Sequence, residues 1–222
     1  MYCFKMNYHY MKILLHNIII LLLHLHNFTY RALTYLTPHL EPDGLHPKHR
    51  LTNYHQFFLD NISPSDVVLD VGCGNGALTH DIAAKAKAVV GVDINPRNIK
   101  EANKKKRKNI TFLCYDIFSM LESLNRYDVV VLSNVLEHLT RRSELLSKLK
   151  LIAPKLLIRV PMSDRDWLTL YKKEKGISYM LDPTHKVEYT LKFFEEELIC
   201  EELKIDSYRI NYGEIWGVIV HA

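Results

Sequence analysis

The sequence predicts an α/β protein with a doubly wound, mostly parallel seven-stranded sheet, an antiparallel C-terminal hairpin and helices on both faces. Three observations support this fold class. From Asp66 onward, short β-branched runs alternate with helical patterns, which is typical of a parallel sheet covered on both faces. Three of the eight glycines fall within residues 72–76, directly after the first such run. Near the C-terminus, two further β runs flank Tyr212 and Gly213, a spacing that predicts a hairpin.

The elements follow in chain order. Apolar runs typical of strands buried on both sides lie at residues 67–71, 88–93, 110–116, 127–134 and 155–160. Helices are predicted between them at about 77–87, from Pro96 to about 106, and at 141–152, with right-handed crossovers. Residues 161–190 break the alternation and are expected to form an irregular insert. An amphipathic helix at 191–203 and two closing strands complete the chain.

Length and composition indicate one globular core with an appendage. The 222 residues are 48% apolar and 24% charged. We expect an N-terminal helical extension over residues 1–60 and one domain over 61–222, with 161–190 as a substrate-side insert. The net charge of +4 does not indicate a nucleic-acid partner, and the basic run at 104–108 is expected to be a solvated helix end. The four cysteines lack CxxC spacing, so a reducing, cytoplasmic location fits best.

Residues 1–60 hold eight of the twelve histidines and no acidic residue before Glu41. The apolar stretch at residues 13–25 falls short of the ~20 residues that cross a bilayer, and no signal cleavage site follows it. As a helix it suits either packing onto the domain or peripheral membrane contact, and both alternatives stay open. His24 and His26 lack further ligands at suitable spacing, so no metal site is expected.

The glycine turn is expected to hold a nucleotide-like ligand. Ligands of doubly wound sheets bind at the carboxyl ends of the strands, where Gly72 begins the turn. Asp93 follows Gly72 by 21 residues, a spacing at which a carboxylate accepts hydrogen bonds from the ribose of an adenosine. The glycines do not follow the dinucleotide pattern GxGxxG, which disfavours a nicotinamide oxidoreductase. Asp70 lies two positions before Gly72, where its carboxylate suits an ammonium group. A sulfonium cofactor with an amino-acid tail therefore fits this turn better than a dinucleotide.

The motifs "VLDVGCGNG", "VGVDINP", "YDIF" and "YDVVVLSNVLEHL", in this order, resemble the class I S-adenosylmethionine-dependent methyltransferases, which have a Rossmann-like domain. The resemblance spans residues 64–160. It implies that Asp70, Gly72 and Gly74 face the methionine part of S-adenosyl-L-methionine, Asp93 the ribose, Asp116 with Ile117 the adenine, and Asn134 the methyl group. The cofactor-binding residues implied are Asp70, Gly72, Gly74, Gly76, Asp93, Ile94, Asp116, Ile117 and Asn134.

Motifs outside this region, including "HPKHRLTNYHQFF" and "LDPTHKVEYT", resemble a type 11-like subgroup of methyltransferases linked with cell-envelope or glycan pathways. This likeness does not identify a substrate. The acceptor is therefore expected to be an unidentified small molecule, glycan or lipid-linked compound, and the oligomeric state is left open. The segment "HPKHR" is expected to fold over the cofactor as a lid.

The catalytic candidates are His185, His138 and Asn134. His185, with Asp182 and Glu188 close in sequence, is the first candidate for a general base, because an imidazole titrates near neutrality. The alternative is a loop that holds only its own shape. His138 is a second candidate base or a residue that packs or caps near a helix. Asp164, Arg165 and Asp166 either orient a polar substrate or lie in a solvated loop. A non-catalytic adenosyl-binding protein is the remaining alternative function.

Overall fold

The computed structural model describes residues 2–42, 44–105, 107–121 and 125–222. Its helices are α1 (Tyr2–Leu36), α2 (Lys48–Thr52), α3 (Tyr54–Asp60), α4 (Ala77–Ala83), α5 (Pro96–Ala102), α6 (Ile117–Met120), α7 (Arg142–Ile152), α8 (Trp167–Glu174) and α9 (Leu191–Cys200). Short 3-10 helices cover Thr37–Leu40 and Leu136–His138. Contacts divide the chain into two compact units, one of Met1–Lys48 with Asp166–Pro183 and one of His49–Arg165 with Thr184–Ala222. The predicted boundary at residue 60 stays a prediction.

The second unit is built on a mixed sheet. Its strands are β1 (Val67–Val71), β2 (Ala88–Asp93), β3 (Ile110–Cys114), β4 (Val129–Ser133), β5 (Lys155–Pro161), β6 (Leu203–Asn211) and β7 (Glu214–His221). In the described residues they form one seven-stranded sheet in the order β3-β2-β1-β4-β5-β7-β6. β1 to β5 pair in parallel, and β7 pairs antiparallel with β5 and β6. The predicted fold class is therefore confirmed.

Both faces of the sheet are covered, because neighbouring residues of a strand point to opposite sides. Leu69 of β1 belongs to a core cluster that includes residues of α7 and α9. Val68, one position earlier, belongs to a second cluster with Phe58 of α3 and Ile82 of α4. β1 therefore contributes to two apolar cores, one on each face of the sheet.

The chain order reverses at β1. The strand lies between β2 and β4, so the connections that leave it and arrive at β4 run to opposite sides. A crevice forms at the carboxyl ends of strands at such a switch point. The segments that follow Val71 and Ser133 therefore lie where ligands of this class of sheet bind.

Several predicted element ends were wrong. α4 ends at Ala83 instead of about 87, because the Lys87 amide donates to the Asp66 carbonyl and the chain turns into β2. α5 ends at Ala102, not about 106; Lys106 lies outside the described residues. β3 ends at Cys114, before the Asp116 side chain caps α6.

The predicted irregular insert at 161–190 was wrong in part, because it contains α8. The Asp166 side chain accepts the Thr169 amide hydrogen at 2.6 Å, an N-cap that starts this helix.

The predicted hairpin turn near the C-terminus is confirmed. Tyr212 and Gly213 both have positive φ, 53° and 73°, as a two-residue type I′ turn requires.

α1 has 35 residues and extends well beyond the apolar stretch at 13–25. The segment Tyr8–Leu40 is long and apolar enough to cross a membrane by length and composition, so the expectation that the segment is too short does not hold for the whole helix. Signal sequences and buried core helices pass the same test. Within the first unit, Leu23 is buried, and the Lys172 ammonium of α8 donates to Asn27 Oδ1 at 2.7 Å.

Candidate functional site

Three glycines form the turn between β1 and α4, and all have positive φ. A Cβ atom on Gly76 would lie 2.9 Å from Ala102 Cβ and Phe112 Cζ, and one on Gly72 would lie 2.7 Å from Val135 Cγ2. A Cβ on Gly74 would meet nothing within 4 Å. Gly72 and Gly76 are therefore required for packing, whereas Gly74 faces open space at the carboxyl edge of the sheet.

Asp93 ends β2 and joins that strand to the glycine turn. Its Oδ2 accepts the Gly74 amide hydrogen at 2.9 Å, and its Oδ1 accepts from the Asn95 amide at 2.8 Å and from Asn98 Nδ2 at 3.2 Å. A carboxylate has about four acceptor positions, so one position on the half-buried Asp93 is left for a ligand hydroxyl. Ile94, its neighbour, is 69% exposed.

Asp70 lies inside β1 and is only 2% exposed. Its Oδ2 accepts a hydrogen bond from Thr79 Oγ1 at 2.6 Å. Burial raises the pKa of Asp70 to about 7, and the nearby Asp93 carboxylate raises it further, while the Thr79 hydrogen bond opposes the shift. A cation close to this carboxyl would favour its ionised form.

Asp116 and Ile117 follow β3. Asp116 is exposed and caps α6 by accepting the Phe118 amide hydrogen at 3.0 Å. Ile117 is buried in the core beside β2 and β4. The structure therefore gives Asp116 a capping role and Ile117 a packing role, and their predicted contact with the adenine stays a prediction.

Asn134 directly follows β4 and has a left-handed backbone, with φ of 57°. Its amide donates to the Arg159 carbonyl of β5 at 2.9 Å. Its side-chain Oδ1 is buried and has no hydrogen-bond partner among the described residues. A buried polar atom without a partner is costly, so this oxygen is suited to a ligand donor.

The buried His185 is held by a carboxylate. Its Nδ1 lies 2.9 Å from Glu188 Oε1, and Glu188 Oε2 accepts from Arg165 Nη1 at 2.6 Å. With Nδ1–H donated to Glu188, the lone pair of His185 lies on Nε2. Arg165 is thus a partner of Glu188, so of the two alternatives left open for this residue the solvated loop does not hold.

The segment that carries His185 is attached to the chain after β4. The Lys186 amide donates to the Glu137 carbonyl at 2.7 Å, and Thr184 Oγ1 lies 2.9 Å from His138 Nδ1. The rings of His138 and His185 are 4.7 Å apart, centroid to centroid. His138 ends the Leu136–His138 turn, and the N-cap position of α7 is Arg141, so His138 does not cap α7.

Sequence reasoning missed Glu137. Its side chain is fully buried, and neither carboxylate oxygen has a hydrogen-bond partner among the described residues. Burial raises its pKa to about 7, although the backbone amide of Glu137 itself and the nearby His185 and Arg159 lower it. The signal in the sequence was an acidic residue between the end of a predicted strand and His138. Its burial could not be predicted, because burial depends on the fold.

A second missed group lies on β5. The buried Arg159 pairs with Glu214 through two hydrogen bonds, of 2.6 and 2.7 Å, and its Nη1 donates to Ser133 Oγ at 3.2 Å. Its guanidinium carbon lies 3.7 Å from the ring centroid of Tyr54. Burial raises the pKa of Tyr54 to about 12, so its hydroxyl stays protonated. This group positions α3 beside the carboxyl ends of β4 and β5.

The remaining predicted residues are placed as follows. In the second unit, His49 Nδ1 lies 2.9 Å from Tyr54 Oη and 3.0 Å from His55 Nε2, and the lid role of "HPKHR" stays a prediction. Asp164 is exposed, and Asp166 caps α8. His26 Nδ1 lies 3.0 Å from the Lys172 ammonium.

These residues fit a cationic adenosyl cofactor. The open space at Gly74, the remaining acceptor position on Asp93 and the unpartnered Asn134 oxygen lie after the neighbouring strands β1, β2 and β4. Asp70 and Asp93 supply negative charge at this edge, and the glycine turn exposes backbone instead of a side chain. The arrangement is able to bind a positively charged nucleoside.

Comparisons with known proteins agree with this geometry. A family model described as "Methyltransferase domain" matches residues 62–207. Over 74 residues, the chain is 35% identical to a ubiquinone biosynthesis O-methyltransferase of Coxiella burnetii, a match that covers 32% of each protein. The chain thus spans about a third of the length of this curated relative.

Two solved structures share the fold. The magnesium protoporphyrin IX methyltransferase of Synechocystis, crystallised with S-adenosylhomocysteine, has a TM-score of 0.61 and 22% identity and covers 79% of this chain and 83% of its own. The N-methyltransferase NodS of Bradyrhizobium japonicum, also with S-adenosylhomocysteine, has a TM-score of 0.56 and 18% identity and covers 78% and 86%. The family model covers well over half of the chain, and the sheet has the predicted mostly parallel form with an antiparallel C-terminal hairpin. The chain therefore belongs to the methyltransferase domain family and has the Rossmann-like fold of class I methyltransferases.

Proposed function

We propose that this protein is a class I methyltransferase that transfers a methyl group from S-adenosyl-L-methionine to a hydroxyl group of a small or lipid-linked acceptor. The observation that carries this proposal is the buried His185–Glu188 pair, which lies against the segment that follows β4. Family membership supports methyl transfer, and the relative of Coxiella burnetii, named as an O-methyltransferase of ubiquinone biosynthesis, supports an oxygen acceptor on a quinone-like ring.

The bound cofactor would supply a methyl group on a positively charged sulfur. The protein's part is to bind, align and exclude water, which accounts for much of the rate of such displacements. Asp70 would hold the amino-acid end and Asp93 the ribose. Asn134, with its unpartnered oxygen, would lie close to the reacting end of the cofactor.

A hydroxyl acceptor must also lose its proton. His185 is suited to accept it at Nε2, because Glu188 engages Nδ1 and stabilises the imidazolium that results. The buried position of Glu188 keeps this pair together without competition from water. This assigns proton removal to His185 and leaves Glu188 and Arg165 as positioning residues.

Cofactor identity is tested by calorimetric titration of the full chain with S-adenosylmethionine, S-adenosylhomocysteine and NADH. We expect binding of the first two and none of NADH. Binding of NADH alone would instead identify a nicotinamide oxidoreductase and overturn the proposal.

Methyl transfer is tested by incubating the protein with S-adenosylmethionine labelled on the methyl group and fractionated cell extract. We expect label in a small-molecule or lipid fraction, and loss of that label with His185→Ala while S-adenosylhomocysteine still binds. Cofactor binding without label in any fraction would favour a non-catalytic adenosyl-binding protein.

We also propose that residues 13–25 contact a membrane surface at the cytoplasmic side. Large apolar side chains of α1 are exposed, namely Ile13, Leu14, Leu15, Ile18, Ile19, Leu21, Leu22 and Leu25. An exposed apolar surface of this kind is typical of an interaction site. Such a location would bring a lipid-linked acceptor to the enzyme.

The membrane proposal is tested by flotation with phosphatidylcholine vesicles that contain anionic lipid. We expect the full chain to float with the vesicles and the double variant Leu14→Gln with Leu21→Gln to float much less. Equal flotation of both proteins would overturn contact through this segment.

A further inference from the structure

We propose that Glu137, His138 and His185 bind a divalent transition-metal ion at the carboxyl end of β4. Each of the three residues offers one ligand atom, and these atoms lie within 4.8 Å of one another. Glu137 and His138 are adjacent in the chain. His185 lies close to them because the Lys186 amide donates a hydrogen bond to the Glu137 carbonyl. The binding of an ion does not depend on the proposed function, although its catalytic role does.

Glu137 provides the first argument. Its carboxyl group is fully buried, and both oxygens lack a hydrogen-bond partner among the described residues. Burial of a carboxylate without a partner is unfavourable, and buried charges in proteins are usually paired or bound to metals. A cation between Glu137 and the two imidazoles would remove this cost.

The surroundings of the histidines provide the second argument. Metal-binding imidazoles commonly donate their other ring N–H to a carboxylate or another oxygen, which sets the tautomer and the ring orientation. His185 Nδ1 has this arrangement with Glu188 Oε1, at 2.9 Å. His138 Nδ1 lies 2.9 Å from Thr184 Oγ1. Each ring therefore has an oxygen atom at hydrogen-bond distance from its Nδ1, as ligand imidazoles commonly have.

The donor set indicates which ions fit. Two imidazole nitrogens and one carboxylate oxygen suit Zn²⁺, Co²⁺, Fe²⁺ or Mn²⁺, whereas Ca²⁺ and Mg²⁺ prefer oxygen ligands. Ligand distances of about 2.1 Å place the donor atoms of one ion within about 4.2 Å of each other, so binding would draw the three side chains slightly together. His138, which is partly exposed, has room for this movement.

Three protein ligands leave at least one coordination position open, as in catalytic metal sites. That position would take the acceptor oxygen of the proposed methyl transfer. The ion would lower the pKa of the bound hydroxyl, whose proton then leaves to water. The oxygen–carbon bond forms as the carbon–sulfur bond breaks, and the electron pair of that bond stays on sulfur. Without an ion, His185 Nε2 remains the proton acceptor.

The test uses the full chain without an affinity tag, stripped of metal with a chelator and dialysed. Co²⁺ and Zn²⁺ are titrated by calorimetry, bound metal is counted by mass spectrometry, and Co²⁺ is also followed by its visible absorption. We expect one ion per chain. We expect His185→Ala and Glu137→Gln to weaken binding at least tenfold, and Glu188→Gln to weaken it by about ten- to a hundredfold.

The matched control is the double variant His24→Ala with His26→Ala, which removes two histidines that lie two positions apart in α1. We expect it to bind the ion as the wild type does. Circular dichroism and S-adenosylhomocysteine binding of each variant show whether it is folded. An open position is tested with catechol, which should change the Co²⁺ absorption of the wild type.

The metal proposal is overturned if no ion binds, if binding is unchanged in folded Glu137→Gln and His185→Ala, or if only the α1 variant loses it. An unchanged Co²⁺ spectrum with catechol overturns the acceptor position. Each of these results leaves S-adenosylhomocysteine binding and methyl transfer as separate measurements, so a failed metal site is distinguishable from a failed methyltransferase assignment.

Discussion

Asp70 and Asp93, an acidic residue of β1 just before the glycine turn and one that accepts the Gly74 amide hydrogen, have different environments. Asp70 is buried, with one hydrogen bond from Thr79, and its pKa is raised to about 7. Asp93 is half-buried and accepts hydrogen bonds from Gly74, Asn95 and Asn98. Their proposed roles therefore predict different responses to substitution.

Asp93→Ala is expected to weaken binding of S-adenosylmethionine by about 1.5 to 3 kcal/mol, as for a lost hydrogen bond to a charged group. The bond to the Gly74 amide is lost as well, which acts in the same direction. Isothermal titration calorimetry measures the change. Asp206→Ala, an exposed carboxylate on β6, is the control and should bind as the wild type does. Unchanged affinity in Asp93→Ala would refute the ribose role.

Asp70 predicts a pH dependence of cofactor binding. If the cationic cofactor binds the ionised carboxylate, its affinity should fall about tenfold for each pH unit below 7, because Asp70 must then lose a proton on binding. Asp70→Asn should remove this slope. Calorimetry between pH 5.5 and pH 7.5, in buffers of different ionisation enthalpy, counts the proton directly, and a flat profile in the wild type would contradict the assignment.

The same pKa affects folding of the free protein. Asp70 ionises near pH 7 when folded and at about 3.9 when unfolded, so the folded state binds more protons between these values. Its contribution to stability is therefore full below about pH 4 and is lost as the pH rises through 7. The buried Asp70 carboxyl therefore lowers the stability of the free protein at neutral pH. When ionised, it supplies a negative charge that suits the cationic cofactor.

At the scale of elements, the glycines of the β1–α4 turn have two different structural roles. Gly76 packs against α5 and β3 through Ala102 and Phe112, while Gly74 borders open space. Both have positive φ, which costs a residue with a Cβ roughly 1–2 kcal/mol. The two glycines differ only in what a side chain would meet.

This difference gives a matched pair of variants. Gly76→Ala should destabilise the fold by about 2–4 kcal/mol, because overpacking adds about 1–3 kcal/mol to the backbone cost. Gly74→Ala should lose only about 1–2 kcal/mol of stability but at least tenfold in cofactor affinity. Urea unfolding and calorimetry measure the two quantities. Equal destabilisation by both variants would show that the distinction is wrong.

At the scale of the whole molecule, the chain before β1 contributes to the core of the second unit. Phe58 of α3 is fully buried beside Val68, Ile82 and Leu157. α3 is also held by Arg159, whose guanidinium packs on Tyr54. The core of the second unit therefore includes residues of α3, which precede residue 61.

Phe58→Ala is accordingly expected to destabilise the protein by about 3–5 kcal/mol, the usual cost of removing a buried phenyl ring. The control is Leu151→Ala at an exposed position of α7, which should change stability by less than about 0.5 kcal/mol. Urea denaturation followed by fluorescence gives both values. A small effect of Phe58→Ala would mean that α3 is not part of the cooperative core.

Much of the fold and part of the site could be predicted from local patterns. Strand periodicity, the glycine spacing and the position of Asp93 are properties of neighbouring residues, and the expected strands and sheet followed from them. Helix ends were predicted less well, because α4 ends where the Asp66 carbonyl takes the Lys87 amide, a contact between separate elements. α8 was missed because its start depends on the Asp166 cap within a segment of mixed composition.

By itself, the sequence determined the parallel sheet, the turn at its switch point and the family, because each depends on residues close together in the chain. Only the tertiary structure decided which side chains meet there. Thr184 and His138 are 46 residues apart, and their contact depends on where β5 and the following segment run. The burial of Glu137 and the pairing of Glu188 with His185 and Arg165 arise from the same packing.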